Sequence, residues 1–107
     1  MTALLRSTTN EIPGREIANV LDVVMGNTVH SKHMGRDFMA GLKGMIGGEI
    51  KGYTQMMTQA RNQALERMEQ EAARLGADAV IGFRFASSSI GSEMCEVLAY
   101  GTAVKLR

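Results

Sequence analysis

Apolar residues recur at helical spacing in the middle of the chain, between residues 54 and 75. Steps of three and four place them on one helical face, whose members are Met57, Ala60, Ala64, Met68, Ala72 and Leu75. Gly76 follows, where a residue in the left-handed conformation closes a helix. The pattern therefore predicts an amphipathic helix over residues 54–75, with the ion pairs Arg67–Glu71 and Glu71–Arg74 on its outer side.

β-branched and alternating apolar residues predict strands on both sides of this helix. Residues 17–31 read as one long strand or as two strand segments, because Gly26-Asn27 indicates a bulge or a bend. The last strand is expected to be antiparallel to the strand before it. The remaining predicted segments are a short extended lead-in at 4–9, a strand at 79–86, a polar loop at 87–92 and the last strand at 94–106.

Alternation within the strand at residues 79–86 predicts which side chains share a face. One face holds Ile81, Phe83 and Phe85. Arg84 lies on the opposite face, and a buried arginine needs a partner. Glu96 on the next strand is the predicted cross-strand partner.

Between the first strand and the long helix, apolar residues at helical spacing predict a short helix over residues 35–46. Gly47 and Gly48 then form a flexible connection. The predicted fold class is α+β: a mainly antiparallel sheet packed on the long helix (54–75) and the short helix (35–46). A length of 107 residues indicates a single domain, residues 1–107.

Both faces of the last predicted strand are apolar or small, whereas a sheet covered by one helical layer needs only one apolar face. The small residues Ala99, Gly101 and Ala103 would allow another backbone to come close. We therefore expect a homo-oligomer, in which copies of the chain cover the second face. The alternative is a monomer that covers this face with its own N-terminal strand and short helix.

Composition narrows the function classes. The net charge is +1, and the chain has two tyrosines, three phenylalanines and no tryptophan, which argues against a nucleic-acid or anionic-membrane partner. No run approaches the roughly 20 apolar residues of a membrane span. A single cysteine cannot form an internal disulfide, so a cytoplasmic protein is expected.

The candidate metal ligands are His30, His33 and Cys95. The two histidines fall at a strand end or in a loop, so they are either surface residues or part of a site. Zinc sites usually need three or four protein ligands, and a ring of subunits could bring identical ligands together around its axis. No resident cofactor is expected, with heavy-metal binding as the alternative.

No catalytic motif is present. Cys95 lies beside the acidic Glu96 and lacks the basic surroundings of a reactive thiol, so the protein is expected not to be an enzyme. Arg36 and Asp37 are candidates for ligand or interface contacts at the start of the short helix. The glycines that include Gly47 and Gly48 are a weak phosphate-binding signal, because no strand precedes them and no GK[ST] follows.

Five short segments stand out along the chain. They are Arg36-Asp37-Phe38, Gly47-Gly48 followed by Tyr53, Ala60-Arg61 with Ala64 and Glu66, the run from Leu75 to Gly82, and the run from Gly101 to Lys105. In these segments, in their order and in their approximate spacing, the chain resembles the YbjQ-like family, and the resemblance extends over nearly the whole chain from about residue 7. It departs from the commoner pattern in its nine methionines and in the run from His30 to His33.

The resemblance implies an α+β subunit that assembles into pentameric rings, with strands of neighbouring subunits joined in a barrel-like arrangement. It also implies a connection with heavy metals, which is the label that the family carries. No catalytic residue can be transferred from the resemblance.

Overall fold

A computed structural model describes residues 4–31, 51–91 and 94–107. Within these ranges, four strands form one mixed sheet in the order β1-β3-β4-β2, and one helix packs against it. The elements are β1 (Leu5–Arg6), β2 (Ile17–Ser31), α1 (Lys51–Arg74), β3 (Ala79–Ile90) and β4 (Met94–Leu106). The α+β class is confirmed, and the short helix predicted at residues 35–46 lies outside the described residues.

The sheet is built on β4, which pairs antiparallel with β2 on one side and with β3 on the other. β1 adds a short parallel pairing to β3. The bounds predicted for β2 and β4 are confirmed, as is the antiparallel direction of the last two strands. β2 therefore forms one edge of the sheet along all 15 of its residues.

The polar loop predicted at residues 87–92 is wrong up to residue 90, because β3 continues to Ile90. In this part of β3, Ser87 pairs with Val97 and Ile90 pairs with Met94. Backbone hydrogen bonds to β4 hold this exposed end in the sheet, so it needs no apolar alternation. The strand ends before Gly91, which has a φ of 64°.

A bulge in β3 reverses the predicted faces of this strand. The register shifts between Ile81 and Arg84, and Gly82 lies there with a φ of 60°. One extra residue moves every later side chain to the other face. Ile81 and Arg84 consequently share one face, while Phe83 and Phe85 lie on the other, with their ring centroids 4.8 Å apart.

The predicted Arg84–Glu96 pair is also wrong. Arg84 lies opposite Tyr100, whereas Glu96 lies opposite Ser88 further along the ladder. The Arg84 guanidinium instead donates hydrogen bonds of 2.9 Å to the carbonyls of Thr8 and Phe83. An exposed arginine has no need of a buried ion pair, and backbone acceptors close to it satisfy the guanidinium.

The buried face of α1 agrees with the predicted face except at its two ends. Its fully buried residues are Ala60, Ala64, Met68 and Ala72. At the N-terminal end Met56 is buried and Met57 is half-buried. Leu75 is 38% exposed because the helix ends at Arg74, and Gly76 follows with the expected positive φ of 77°.

Only one of the two predicted ion pairs on α1 is found. Arg74 Nε donates to Glu71 Oε2 at 3.1 Å. Arg67 instead donates to the backbone carbonyl of Asn27 at 2.6 Å. Arg67 thus ties the helix to the edge strand β2 rather than to the next helical turn.

The helix backbone lies directly on β2 at Gly26. A Cβ added to Gly26 would lie 2.3 Å from both the Ala64 carbonyl oxygen and the Met68 amide nitrogen. The ladder is regular here, with Gly26 opposite Ala99, so the bulge expected at this position is wrong. The glycine is required for close packing, and the register shifts of β2 lie before residue 23.

The small residues of β4 meet the helix of the same chain. Ala99 and Ala103 are fully buried in the cluster that also holds Ala60 and Ala64 of α1. The expectation that these positions admit the backbone of another subunit is therefore wrong for this face of the sheet. The apolar side chains without cover lie on the opposite face.

Asp78 lies in the turn between α1 and β3, and its contacts connect this turn to β4 and β1. Its Oδ2 accepts a hydrogen bond of 2.8 Å from the Leu106 amide, and its Oδ1 lies 3.4 Å from Lys105 Nζ. Its own carbonyl accepts from the Leu5 amide at 3.2 Å. The hydrogen bond from Leu106, aided by Lys105, holds the pKa of Asp78 below its ordinary value, against a smaller opposing effect of burial.

We predict that Gly26→Ala destabilises the protein by about 1–3 kcal/mol or more, because the methyl group meets backbone atoms that cannot rotate away. Urea unfolding followed by circular dichroism measures the change in the free energy of unfolding. Asn19→Ala, at an exposed position of the same strand, is the control and should change stability little. An unfolding midpoint for Gly26→Ala equal to that of the wild type would contradict this close approach.

We predict that Asp78→Asn lowers stability at neutral pH and that the difference from wild type shrinks in acid. A carboxyl whose pKa is depressed by folding stabilises the native state above its unfolded pKa, and this contribution is lost as the pH falls through the folded pKa. Unfolding free energies measured from about pH 7 to about pH 2 give the test. The exposed carboxylate variant Glu66→Gln serves as the control; a constant gap between Asp78→Asn and wild type over this range would refute the assignment.

Candidate functional site

Two of the predicted metal ligands lie directly opposite each other in the sheet. His30 of β2 pairs in register with Cys95 of β4. Cross-strand neighbours of this kind have Cβ atoms about 4.5–5.5 Å apart. Both side chains are half-buried.

The other site residues predicted from the sequence belong to residues 32–50, which are not among the described residues. His33, the remaining predicted metal ligand, lies outside the described residues. The same holds for the predicted contact residues Arg36, Asp37, Gly47 and Gly48.

A third soft donor comes from α1. Met57 Sδ lies 4.0 Å from Cys95 Sγ. The helix and β2 run side by side in opposite directions, and the buried Thr28 hydroxyl donates to the Ala60 carbonyl at 3.2 Å. This hydrogen bond fixes which helical turn faces the end of β2, and Met57 lies about one turn before Ala60.

The imidazole of His30 has an unmet hydrogen-bonding requirement. Its Nε2 atom is buried and has no hydrogen-bond partner in the part of the chain that the structure describes. Leaving a buried polar atom unsatisfied costs about 1–3 kcal/mol. A metal ion bound to this nitrogen would supply the missing interaction.

The donor set of this cluster is soft: one thiol, one thioether and one imidazole. Among the described residues no carboxylate supplements it, since Glu96 lies on the opposite face of β4, where its Oε2 accepts from Asn27 Nδ2 at 3.2 Å. Within residues 4–31, 51–91 and 94–107, no group of three or more His, Cys, Asp and Glu side chains could hold a metal ion. A site here therefore depends on the methionine sulfur of Met57.

The sequence reasoning did not identify Met57 as a donor. Its helical spacing indicated a packing residue, and the half-buried position agrees with that role as well. A helical pattern does not indicate which turn of the helix packs against which end of a strand. The signal that could have found it is the soft character of Met57 together with Cys95, once the packing of α1 on β4 is known.

On the opposite side, the sheet presents an exposed apolar surface that we call the outer face. Its exposed large apolar side chains are Val20, Val23, Met25, Val29, Ile90, Met94 and Tyr100. The segment before β2 covers only one end, where Ile12 and Ile17 pack near Val104. Val23 is 58% exposed and Met25 is 56% exposed, so the centre of the β2 edge has no cover of this kind.

A second concavity, of about 410 Å³, lies at the other end of the helix. It is lined by apolar side chains together with Arg15 and Asp78. Both oxygens of Asp78 already accept hydrogen bonds from β4, and Arg15 Nε donates to the Arg107 carbonyl at 3.2 Å. This concavity therefore offers no nucleophile and no unengaged acid–base pair among its lining residues.

In the part of the chain that the structure describes, no helix is both long enough and apolar enough to cross a bilayer.

Comparison with known proteins gives consistent matches over nearly the whole chain. Residues 4–107 match the sequence model of the YbjQ family, whose description is "Putative heavy-metal-binding". A "UPF0145 protein" of Vibrio campbellii is 63% identical over 96% of this chain and 99% of its own length. A "UPF0145 protein" of Thermotoga maritima is 60% identical over 96% of this chain and 97% of its own length.

A solved structure shares the fold. The crystal structure of a protein of unknown function from Pediococcus pentosaceus, titled as a member of the DUF74 family, superposes with a TM-score of 0.66 at 18% identity. The match covers 97% of this chain and 98% of that chain. Together with the family match and the closely related sequences, these findings show that the chain belongs to the YbjQ family, whose members include the UPF0145 proteins.

Proposed function

We propose that this protein is a non-enzymatic binding or scaffold protein that works as a homo-oligomer, assembled through the outer face of its sheet. The observation that carries the proposal is the row of exposed apolar side chains on that face. Extended apolar surfaces of this kind mark interaction sites on folded proteins. Copies of the same chain are always present with it, and most oligomers are built from identical subunits.

The position of β2 supports self-association. This strand is an edge strand of 15 residues, and its outer side carries Val23, Met25 and Val29. A long apolar edge strand invites pairing with another strand unless something covers it. A neighbouring subunit would cover both the edge and the outer face.

The proposed assembly is a ring of five, which is the arrangement that the family resemblance implies. In such a ring, the strands of adjacent subunits would close on one another and leave no free edge. The proposed location is the cytoplasm, since Cys95 has no cysteine in the chain with which to pair.

The absence of catalysis is part of the same proposal. It is supported by the roles of the polar groups that line the concavity near Asp78, because each of them already bonds to the backbone of the chain. A binding role needs only a surface or a small set of donors.

We predict that the wild-type protein has a native mass of five 11.6 kDa chains at micromolar concentration. Val23→Glu combined with Val29→Glu should shift it towards the single-chain mass, because charged side chains cannot be buried without partners. Both positions are exposed in the subunit, so circular dichroism should show an intact fold. Native mass spectrometry and light scattering give the masses.

Gln63→Glu is the matched control, since it adds a charge at an exposed position of α1 and leaves the sheet unchanged. It should retain the wild-type mass. A wild-type protein found only as a single chain would overturn the proposed assembly. A double variant that keeps the wild-type mass would show that the outer face is not the interface.

We propose heavy-metal binding as a second function, and a specific observation favours it. His30, Cys95 and Met57 come together from three separate elements, and one of their donor atoms is buried without a partner. Equilibrium dialysis against zinc, copper and cadmium, with metal analysis of the dialysed protein, tests whether any metal is retained. Equal metal content inside and outside the dialysis bag for all three metals would exclude this function.

A further inference from the structure

We infer that Met57, Cys95 and His30 form a three-coordinate site for one soft monovalent metal ion, with Cu(I) as the chemical class. This inference rests on the second proposed function and names the donors and the ion. It does not depend on the assembly of subunits, because the cluster lies on the helix-covered side of the sheet.

The placement of the three donors is fixed by the fold. The β2–β4 ladder places His30 opposite Cys95. The same regular pairing extends back along β2 through Thr28. The Thr28–Ala60 hydrogen bond and the close contact at Gly26 fix the position of α1 on the same two strands. The site is therefore assembled by rigid elements rather than by loops, which favours a defined coordination geometry.

The distance between the two sulfurs matches a trigonal centre. Two metal–sulfur bonds of about 2.3 Å at 120° place the sulfurs about 4.0 Å apart, whereas a linear centre needs about 4.6 Å. Met57 Sδ and Cys95 Sγ lie 4.0 Å apart. His30, which lies opposite Cys95 in the ladder, is the candidate for the third ligand of such a centre.

The unpartnered nitrogen of His30 supplies the third donor. Its Nε2 is buried without a hydrogen bond to any described residue, and an imidazole nitrogen of this kind can serve as a metal ligand. Coordination of a metal ion would satisfy this atom and leave the other ring nitrogen available as a donor.

The chemistry of the donors selects the ion. Thiolate and thioether sulfur favour Cu(I), whereas structural zinc sites use four ligands drawn from cysteine, histidine and carboxylates. On binding, the Cys95 thiol releases its proton to solvent and forms a sulfur–metal bond, with no change in oxidation state. The thiolate cancels the single charge of the ion, so the half-buried site stays neutral, which avoids the cost of burying a net charge.

Of the three donors, Met57 also faces a surface depression on the helix side. It lines this shallow depression of about 400 Å³ together with Tyr53, Thr54 and Arg61. The Arg61 guanidinium is directed to the Thr58 hydroxyl at 3.4 Å. The three donors are half-buried, so they are shielded from bulk water and still accessible to an entering ion.

The test is an anaerobic titration of the full chain with Cu(I) in competition with a coloured Cu(I) chelator, and with Ag(I) as a redox-inert substitute. Native mass spectrometry counts the bound ions and reports the oligomer mass in the same spectrum. We expect one ion per chain and no comparable retention of zinc. An assembly that fails to form while the ion still binds would overturn the first proposed function alone.

The variants separate a three-donor site from a simple thiol adduct. Cys95→Ser should abolish binding. Met57→Leu and His30→Gln should each weaken binding by more than about tenfold, because loss of even a residue that only supports a ligand lowers metal affinity by about tenfold or more. Met25→Leu, at an exposed methionine on the outer face, is the matched control and should bind as the wild type does. Thermal unfolding of each variant checks that the fold is retained.

Two results would overturn the inference. One is a wild-type chain that loses Cu(I), and likewise Ag(I), to the chelator as readily as a free cysteine does. The other is wild-type affinity in both Met57→Leu and His30→Gln, which would reduce the site to a single thiol and leave the 4.0 Å sulfur contact as a packing interaction.

Discussion

The contact between α1 and β2 at Gly26 determines how the rest of the subunit is arranged. Helix and strand approach so closely there that no side chain fits between the Gly26 backbone and the helical turn from Ala64 to Met68. Small side chains of the helix and of β4 extend this thin layer on both sides, and the fully buried members are Ala60, Ala64, Ala72, Ala99 and Ala103. Backbones held at this distance leave little freedom to slide, because any shift drives Cβ atoms into the opposite main chain.

This contact also sets the position of the helix across the sheet. α1 lies over β2 and β4, and its contacts with β3 are few, so Phe85 on the same side of the sheet remains 41% exposed. Along the helix, the fixed register places Met57 over the end of β2 and β4, beside Cys95. The donor cluster is thus a consequence of the packing at Gly26, which lies two ladder steps of the same strand face away from His30.

The sequence predicted β2, β4 and the buried face of α1 because each rests on a local signal: β-branched alternation, or apolar residues at steps of three and four. The polar end of β3 was missed because its pairing with β4 holds it, and Ser87 gives no local signal of that pairing. The faces of β3 were assigned wrongly because Gly82 introduces a bulge. A glycine inside a strand pattern is itself a bulge signal, so the sequence does contain a local indication of this bulge.

The residues of the candidate site were likewise predictable only in part from local sequence signals. His30 and Cys95 were identified by residue type alone, and their pairing became visible only with the β2–β4 register, since they lie far apart along the chain. Met57 was assigned to packing because methionine at helical spacing is usually a core residue. Its second capacity depends on the sulfur that lies 4.0 Å away, and no periodicity in the sequence contains that information.

The single helix among the described residues packs on one side of the sheet, so it leaves the opposite face uncovered. An α-helix with its side chains is about 10–12 Å across, while neighbouring strands lie about 4.8 Å apart, so even on its own side the helix covers about two strands. The described N-terminal segment reaches the outer face only near Val104. Val23, Met25 and Val29 lie further along β2, at the edge of the sheet. Covering them therefore takes a surface that extends past this edge, and in the proposed ring of five a different part of the neighbouring subunit's surface would supply it.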